Sequence, residues 1–301
     1  MHFARSHFAS LSAVFAISLA ASASAQQEAD PAFDAKVAKP AYKTGDGPIV
    51  LFDEGHHNFH TSGGRYKPFA DLITSDGYRV RPVKAKFTEE SLKDGVILVI
   101  ANALGAERMN DPAAHEPAFS NHECEVVDDW VKHGGNLLLI TDHFPTGSAA
   151  ELLGRQFHVE MSCGATNDEP TFTRENKRLG KHVILEGRSA EERVNTIKTF
   201  TGQTLKAPEG ATALLTMSDD ARERIPNPDD PRRGKPREAS AAGRSQCVVL
   251  THGKGRVVIL GEAAMLTAQV HGDEKFGMNV PGLDNRQFAL NIMHWLSGAL
   301  K

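Results

Sequence analysis

Five ionisable side chains, Asp53, Glu54, His56, His57 and His60, fall directly after the apolar run Pro48 to Phe52. A second group, Thr141-Asp142-His143, follows the run Asn136 to Ile140, and Glu262 follows Val257 to Leu260. Carboxylates and imidazoles so placed can do two kinds of chemistry. With His56, His60 and Asp142 as ligands, a divalent metal such as zinc would be held through nitrogen and oxygen. It would lower the pKa of bound water to about 7, with Glu54 or Glu262 left as general base. Without a metal, His143 or His56, oriented by Asp142, Asp53 or Glu54, would serve as general base, since an imidazole titrates close to working pH. A third reading leaves these side chains to hydrogen-bond loop backbone, and residue types alone keep all three open.

Several familiar motifs fail on spacing. His56-x-x-x-His60 is a zinc-protease pair only on a helix with Glu beside the first His, and Gly55 and Asn58 make this segment a loop. Pro145-Thr146-Gly147-Ser148 is not the G-x-S-x-G elbow of a serine hydrolase, so Ser148 reads as a helix N-cap. Cys124, Cys163 and Cys247 form an odd set without CxxC spacing. That argues against a zinc knuckle and leaves room for one bridge, Cys163 to Cys247. Ligand contacts are expected from Asp53, His57, Gly63, Gly64, Arg65, Ser148 and His271. The stretches Ser62-Gly63-Gly64-Arg65 and Thr146-Gly147-Ser148 read as helix starts whose free N–H groups favour an anionic or heavily hydroxylated ligand. His271, Asp273, Glu274, Asp284 and Asn285 lie in a loop that could close over the site.

The elements that must position these groups alternate. After the first strand, Thr61 or Ser62 caps a helix carrying Tyr66, Phe69, Ala70 and Ile73, ended by Gly77. Tyr78 to Val83 is a strand, Thr88 to Lys93 a short helix, and Val96 to Ile100 a strand buried on both faces. Ser120 and Glu123 have capping-box spacing ahead of a helix closed by Gly134-Gly135, and the strand Asn136 to Ile140 and a helix Ser148 to Arg155 follow. Val183-Ile184-Leu185 and Ala213-Leu214-Leu215 suggest strands that extend the sheet. Residues 218–246, rich in Pro, Asp, Arg and Gly, read as a long loop that is either disordered or a lid. Cys247 to Thr251 and Arg256 to Leu260 form a hairpin, and Asn285 to Leu296 an amphipathic closing helix. In an open parallel sheet the carboxyl ends of the strands gather at one edge, which brings the three polar groups together.

Composition narrows the setting. Arg5, the apolar run Leu11 to Ala21 and Ala23-Ser24-Ala25 read as a cleaved export signal over residues 1–25, since the run is shorter than the ~20 residues of a membrane span. The expected product is a periplasmic protein without a membrane anchor, with a flexible lead-in at 26–47 and a single domain over 48–301. A formal charge of -4 in a chain of 301 residues, with acids and bases interspersed, excludes a broad nucleic-acid face. A small-molecule or carbohydrate ligand fits better.

The segments Leu51-Phe52-Asp53-Glu54-Gly55-His56, Trp130 to Ile140 and Gly255 to Glu262 resemble the class I glutamine amidotransferase-like superfamily. Exported bacterial domains and the trehalose-utilisation-protein-like group are the nearest likeness. The resemblance covers about residues 48–156 and 247–300 and implies a three-layer α/β sandwich with a mostly parallel, flavodoxin-like sheet and a C-terminal β-hairpin plus helix. It does not extend to glutamine hydrolysis. The strand that would carry the amidotransferase cysteine ends here in Thr141-Asp142-His143-Phe144-Pro145. The expectation is therefore a hydrolase, metal-assisted or not, acting on a small polar or carbohydrate-derived substrate. The alternative is a non-catalytic ligand- or glycan-binding domain.

Overall fold

The structure is a computed structural model that describes residues 27–166, 170–227 and 229–301; the expected signal segment lies outside them. Seven strands form the main sheet: β1 (Ile49–Asp53), β2 (Arg79–Val83), β3 (Ile97–Ala101), β4 (Asn136–Ile140), β5 (Thr212–Ala213), β6 (Cys247–His252) and β7 (Gly255–Leu260). Their order is β5-β6-β7-β4-β3-β1-β2. From β2 through β7 neighbouring strands are parallel, while β6 and β5 add antiparallel at one edge.

Alternation along the strands decides the two faces. Val50, Phe52, Val99, Leu138, Ile140, Val258 and Leu260 pack on one face against α1 (Lys67–Ser75) and the last helix, Asn285–Ser297. Leu51, Leu98, Ile100, Leu137, Leu139, Val257 and Ile259 pack on the other against α2 (Asn121–Lys132) and α3 (Thr146–Gln156). Covered on both sides, the central strands are apolar over most of their length, and each buried aliphatic side chain stabilises the sandwich by roughly 1.5–3 kcal/mol before entropy is counted. This is the mostly parallel, flavodoxin-like α/β architecture that the sequence pattern predicts.

Local signals shape the elements that carry the site. Ser120 Oγ accepts from Glu123 N at 3.2 Å while Glu123 Oε2 accepts from Ser120 N at 3.0 Å, the reciprocal capping box of α2. Gly134, at φ 116°, reverses the chain into β4.

The structure differs from the sequence reading at several points. The helix after β1 starts at Lys67, not at Thr61 or Ser62, because Glu54 Oε1 takes the N–H and hydroxyl of Ser62 at 3.0 and 2.7 Å and holds the chain in turns. Val183–Glu186 is one helical turn rather than a strand. Residues 218–246 contain a hairpin, Arg222–Ile225 with Arg237–Ser240, whose first strand also pairs with Ala165–Thr166. Within the segment read as a lead-in, Glu28–Ala29 pairs with Ala268–His271, which in turn pairs with Glu274–Gly277. The three thiols are unpaired.

Candidate functional site

The ends of β3, β4 and β7 open into a cleft of about 210 Å³, whose walls include His60, Arg65, Asn102, Asp142, His143, Glu262 and Gln269. Three buried polar atoms in these walls have no hydrogen-bond partner among the described residues: His60 Nδ1, Asn102 Oδ1 and Gln269 Oε1. Asn102 continues β3 in the left-handed region at φ 49°, a conformation that Asn tolerates better than most residues. Gln269 Nε2 donates to Thr267 Oγ1 at 2.7 Å, and that hydroxyl in turn donates to Ala264 O at 2.8 Å, so the unmatched atom is the carbonyl oxygen. His60 lies between the rings of Phe59 and Tyr66, with centroids at 5.1 and 4.9 Å. Burial, assisted by the nearby Arg65 charge, lowers its pKa to about 3, so the ring is neutral. An unmatched buried polar group costs about 1–3 kcal/mol, and such groups are rare enough that three in one cleft mark a place built to receive hydrogen bonds.

The reactive groups adjoin these atoms. His143 Nδ1 lies 2.7 Å from Phe144 O, and because a carbonyl can only accept, the neutral ring carries its proton there. Nε2 is left as the base, 3.6 Å from Asp142 Oδ1, on a side chain that is 44% exposed. Asp142 accepts the N–H of His143 at 2.7 Å and of Ala263 at 3.3 Å. Burial nonetheless raises its pKa against these donors and the His143 charge. Glu262 is fully buried, with its two oxygens on Ala264 N at 2.8 Å and Met265 N at 2.7 Å. Burial and then the Asp142 charge push its pKa up to about 8. Gly202, at φ +86°, lets a neighbouring loop approach so closely that a Cβ there would lie 2.6 Å from the Glu262 Cβ.

Other expected site residues go elsewhere. His56 is fully buried between the Phe87 and Phe119 rings, with Nδ1 on Asp53 Oδ1 and Nε2 on Glu123 Oε1, both at 2.8 Å. Both ring nitrogens are therefore committed, and His56 cannot join His60 and Asp142 around a metal. Among the described residues no group of three or more His, Cys, Asp or Glu is arranged to hold one. The residues present do not fit a zinc site. Asp53 also receives Gly55 N at 3.1 Å and Asn58 Nδ2 at 2.9 Å, so Asp53 and Glu54 brace the loop after β1. His57 is exposed in the same loop at φ 50°, and Gly63 and Gly64 are exposed in the turns before α1. Arg65 lines the cleft, with its guanidinium 4.6 Å above the Phe59 ring. Ser148 lies inside α3 rather than capping it, next to the Cys163 thiol. His271 is exposed at the end of its strand and is not among the lining residues. Asp273 and Glu274 belong to the same hairpin, whereas Asp284 Oδ2 accepts from Asn195 N and Thr196 N, and Asn285 opens the last helix.

Asn102 and Gln269 escaped the sequence reading. Asn102 had a usable signal, since it directly follows an all-apolar strand just as Thr141-Asp142 does. Gln269 had none, because only tertiary pairing brings residues 268–271 to this edge.

No protein-family model and no curated protein matches the chain. Among solved structures it is similar to the mmIFT52 N-terminal domain, with a TM-score of 0.57 at 14% identity, over 82% of this chain and 96% of that one. A ThuA-like protein from Bacteroides uniformis aligns with a TM-score of 0.43 at 13% identity, covering 89% of this chain and 95% of its own. A second, from Parabacteroides merdae, aligns with a TM-score of 0.44 at 10% identity, covering 85% and 92%. At such identities the likeness to the mmIFT52 domain is one of fold.

Proposed function

We propose that the cleft binds a small neutral molecule rich in O–H groups, a sugar or polyol derivative, and hydrolyses it by acid–base chemistry without a metal. The observation that carries this reading is the set of unmatched atoms. Asn102 Oδ1 and Gln269 Oε1 accept only, the Asp142 carboxylate and the Arg65 guanidinium offset one another in charge, and neutral His60 adds an uncharged partner. In the proposed step a water proton passes to His143 Nε2 as the water oxygen bonds to the electrophilic carbon. The bond from that carbon to the leaving group breaks with its electron pair, and Glu262, whose raised pKa keeps it protonated toward neutrality, returns a proton to the leaving group. Asp142, beside the ring, stabilises the imidazolium. Thiol chemistry of the amidotransferase kind is not part of the proposal, since burial raises the Cys124 and Cys163 thiols to about 12 and about 11 and also raises Cys247. A place within the amidotransferase-like superfamily, and export to the periplasm, belong to the same proposal.

The second reading is binding without turnover. It is favoured by the carboxylates of Asp142 and Glu262, whose oxygens all receive backbone N–H groups and so also serve the loops. Screening a panel of neutral sugars and polyols by thermal shift and by product release, with wild type, Asn102→Ala and His143→Ala, separates the two. Hydrolysis predicts stabilisation lost in Asn102→Ala, and turnover lost in His143→Ala with binding kept. Stabilisation without product in wild type would leave the binding reading. Stabilisation that Asn102→Ala does not change would remove the cleft from both.

A further inference from the structure

We infer that the cleft is half of a two-part site, and that a second pocket across His143 takes an anionic group carried by the leaving portion of the substrate. This rests on the reading that the inner cleft holds a neutral head. The second pocket, of about 290 Å³, shares His143 and Phe144 with the cleft. Its far wall comes from the hairpin of Arg222–Ile225 with Arg237–Ser240 and the turn between them, which contribute Arg224, Pro226, Pro231, Arg232 and Pro236 to the lining. A molecule spanning both spaces passes His143, the residue whose Nε2 is left as a base.

Charge assigns the occupant. Among the described residues no aspartate or glutamate lines the second pocket, whereas two arginines do; the inner cleft sets Asp142 and Glu262 against the single Arg65. Arg232 is held over the Phe144 ring, its carbon 5.7 Å from the centroid, by hydrogen bonds to the carbonyls of Met109, Asn110 and Asp111. Those partners fix the guanidinium without neutralising it. Arg224 reaches Glu238 only at 3.8 Å and its side chain is 59% exposed. Two guanidinium groups lining one pocket suit a carboxylate or phosphate, because arginine matches planar or tetrahedral oxyanions through paired N–H donors.

The test uses the mature protein and two pairs of probes. Inorganic phosphate and benzoate, titrated by NMR, report the second pocket alone; phenyl glucoside and 4-carboxyphenyl glucoside report its link to the cleft. Wild type is expected to bind both anions and to prefer the carboxylated glucoside. Arg224→Gln, which leaves the Arg232 anchor intact, should weaken the anions about tenfold, the loss of one charge-assisted contact, and remove the preference. Asn102→Ala should weaken both glucosides and leave phosphate and benzoate unchanged. Anions that do not bind, or that bind equally well to Arg224→Gln, would overturn the second pocket. Glucosides that fail to bind while Arg224-dependent anion binding persists would instead overturn the neutral-head reading and leave this pocket standing.

Discussion

At the residue scale the cleft is a set of groups whose protonation the fold has moved in opposite directions. His143→Ala should lower kcat/KM by about 10²–10⁴-fold, the usual contribution of a positioned base, with little change in Tm because the side chain is partly exposed. Loss of fold in that variant would assign the residue a structural role instead. Stability should carry the same signature. Glu262 titrates at about 8 in the fold against an ordinary 4.5. The folded state therefore keeps a proton that the unfolded chain has lost, and the stability from this group is full below about pH 4.5 and lost as pH rises to about 8. His60 falls from 6.5 to about 3, so its contribution is full above pH 6.5 and lost as pH falls toward 3. Above pH 6.5 the His60 contribution is constant and the carboxyl pair still titrates. Glu262→Gln should accordingly flatten the decline of Tm between pH 6.5 and 8; an unchanged slope would rule out the raised carboxyl.

At the element scale, one capping residue serves two structures. Glu123 closes the box at the start of α2, and its other oxygen receives His56 Nε2 and Phe87 N, which ties the loop after β1 to the helix layer. Ser120→Ala should cost about 1 kcal/mol, as the loss of an N-cap does. Glu123→Ala should cost more, about 3 kcal/mol, because it leaves a buried imidazole edge without its partner. Urea denaturation of the two variants checks the order; equal costs would mean that His56 finds another partner. The Glu123 pKa is lowered to about 2, by hydrogen bonds from His56 and Ser120 that outweigh the opposing effect of burial. Its contribution is thus present above about pH 4.5 and lost as pH falls toward 2. The capping box was legible because its partners are three residues apart. The second role was not, since His56 lies 67 positions away in the chain.

At the scale of the whole molecule, the Glu28–Ala29 strand holds Gln27 at the cleft. Glu28–Ala29 pairs with Val270 and Gln269, Asp30 Oδ2 accepts from Asn279 Nδ2 at 2.8 Å, and Gln27 lines the cleft beside Gln269. Removing residues 27–30 should weaken sugar binding severalfold while the main sheet still unfolds cooperatively, because none of its strands includes these residues. Thermal shift with and without ligand would show this; unchanged affinity would mean that the strand only covers an edge.

The sequence by itself determined the long strands of the main sheet, the capping box that opens α2, and the placing of polar residues at strand ends. Alternation, helical spacing and capping are read within a few residues, as in the all-apolar Ile97–Ala101 and in Ser120 to Glu123. The tertiary structure decided which polar residues meet. His56, expected beside a metal, is closed between two carboxylates, whereas Asn102 and Gln269 reach the cleft with unmatched oxygens. The Arg222–Ile225 strand pairs with Arg237–Ser240 and also with the distant Ala165–Thr166, and Glu28–Ala29 pairs with Gln269 and Val270, near the other end of the chain. Such pairings depend on contacts distant in sequence, and their stability is shared among many burial and hydrogen-bond terms, so no short segment carries their signature.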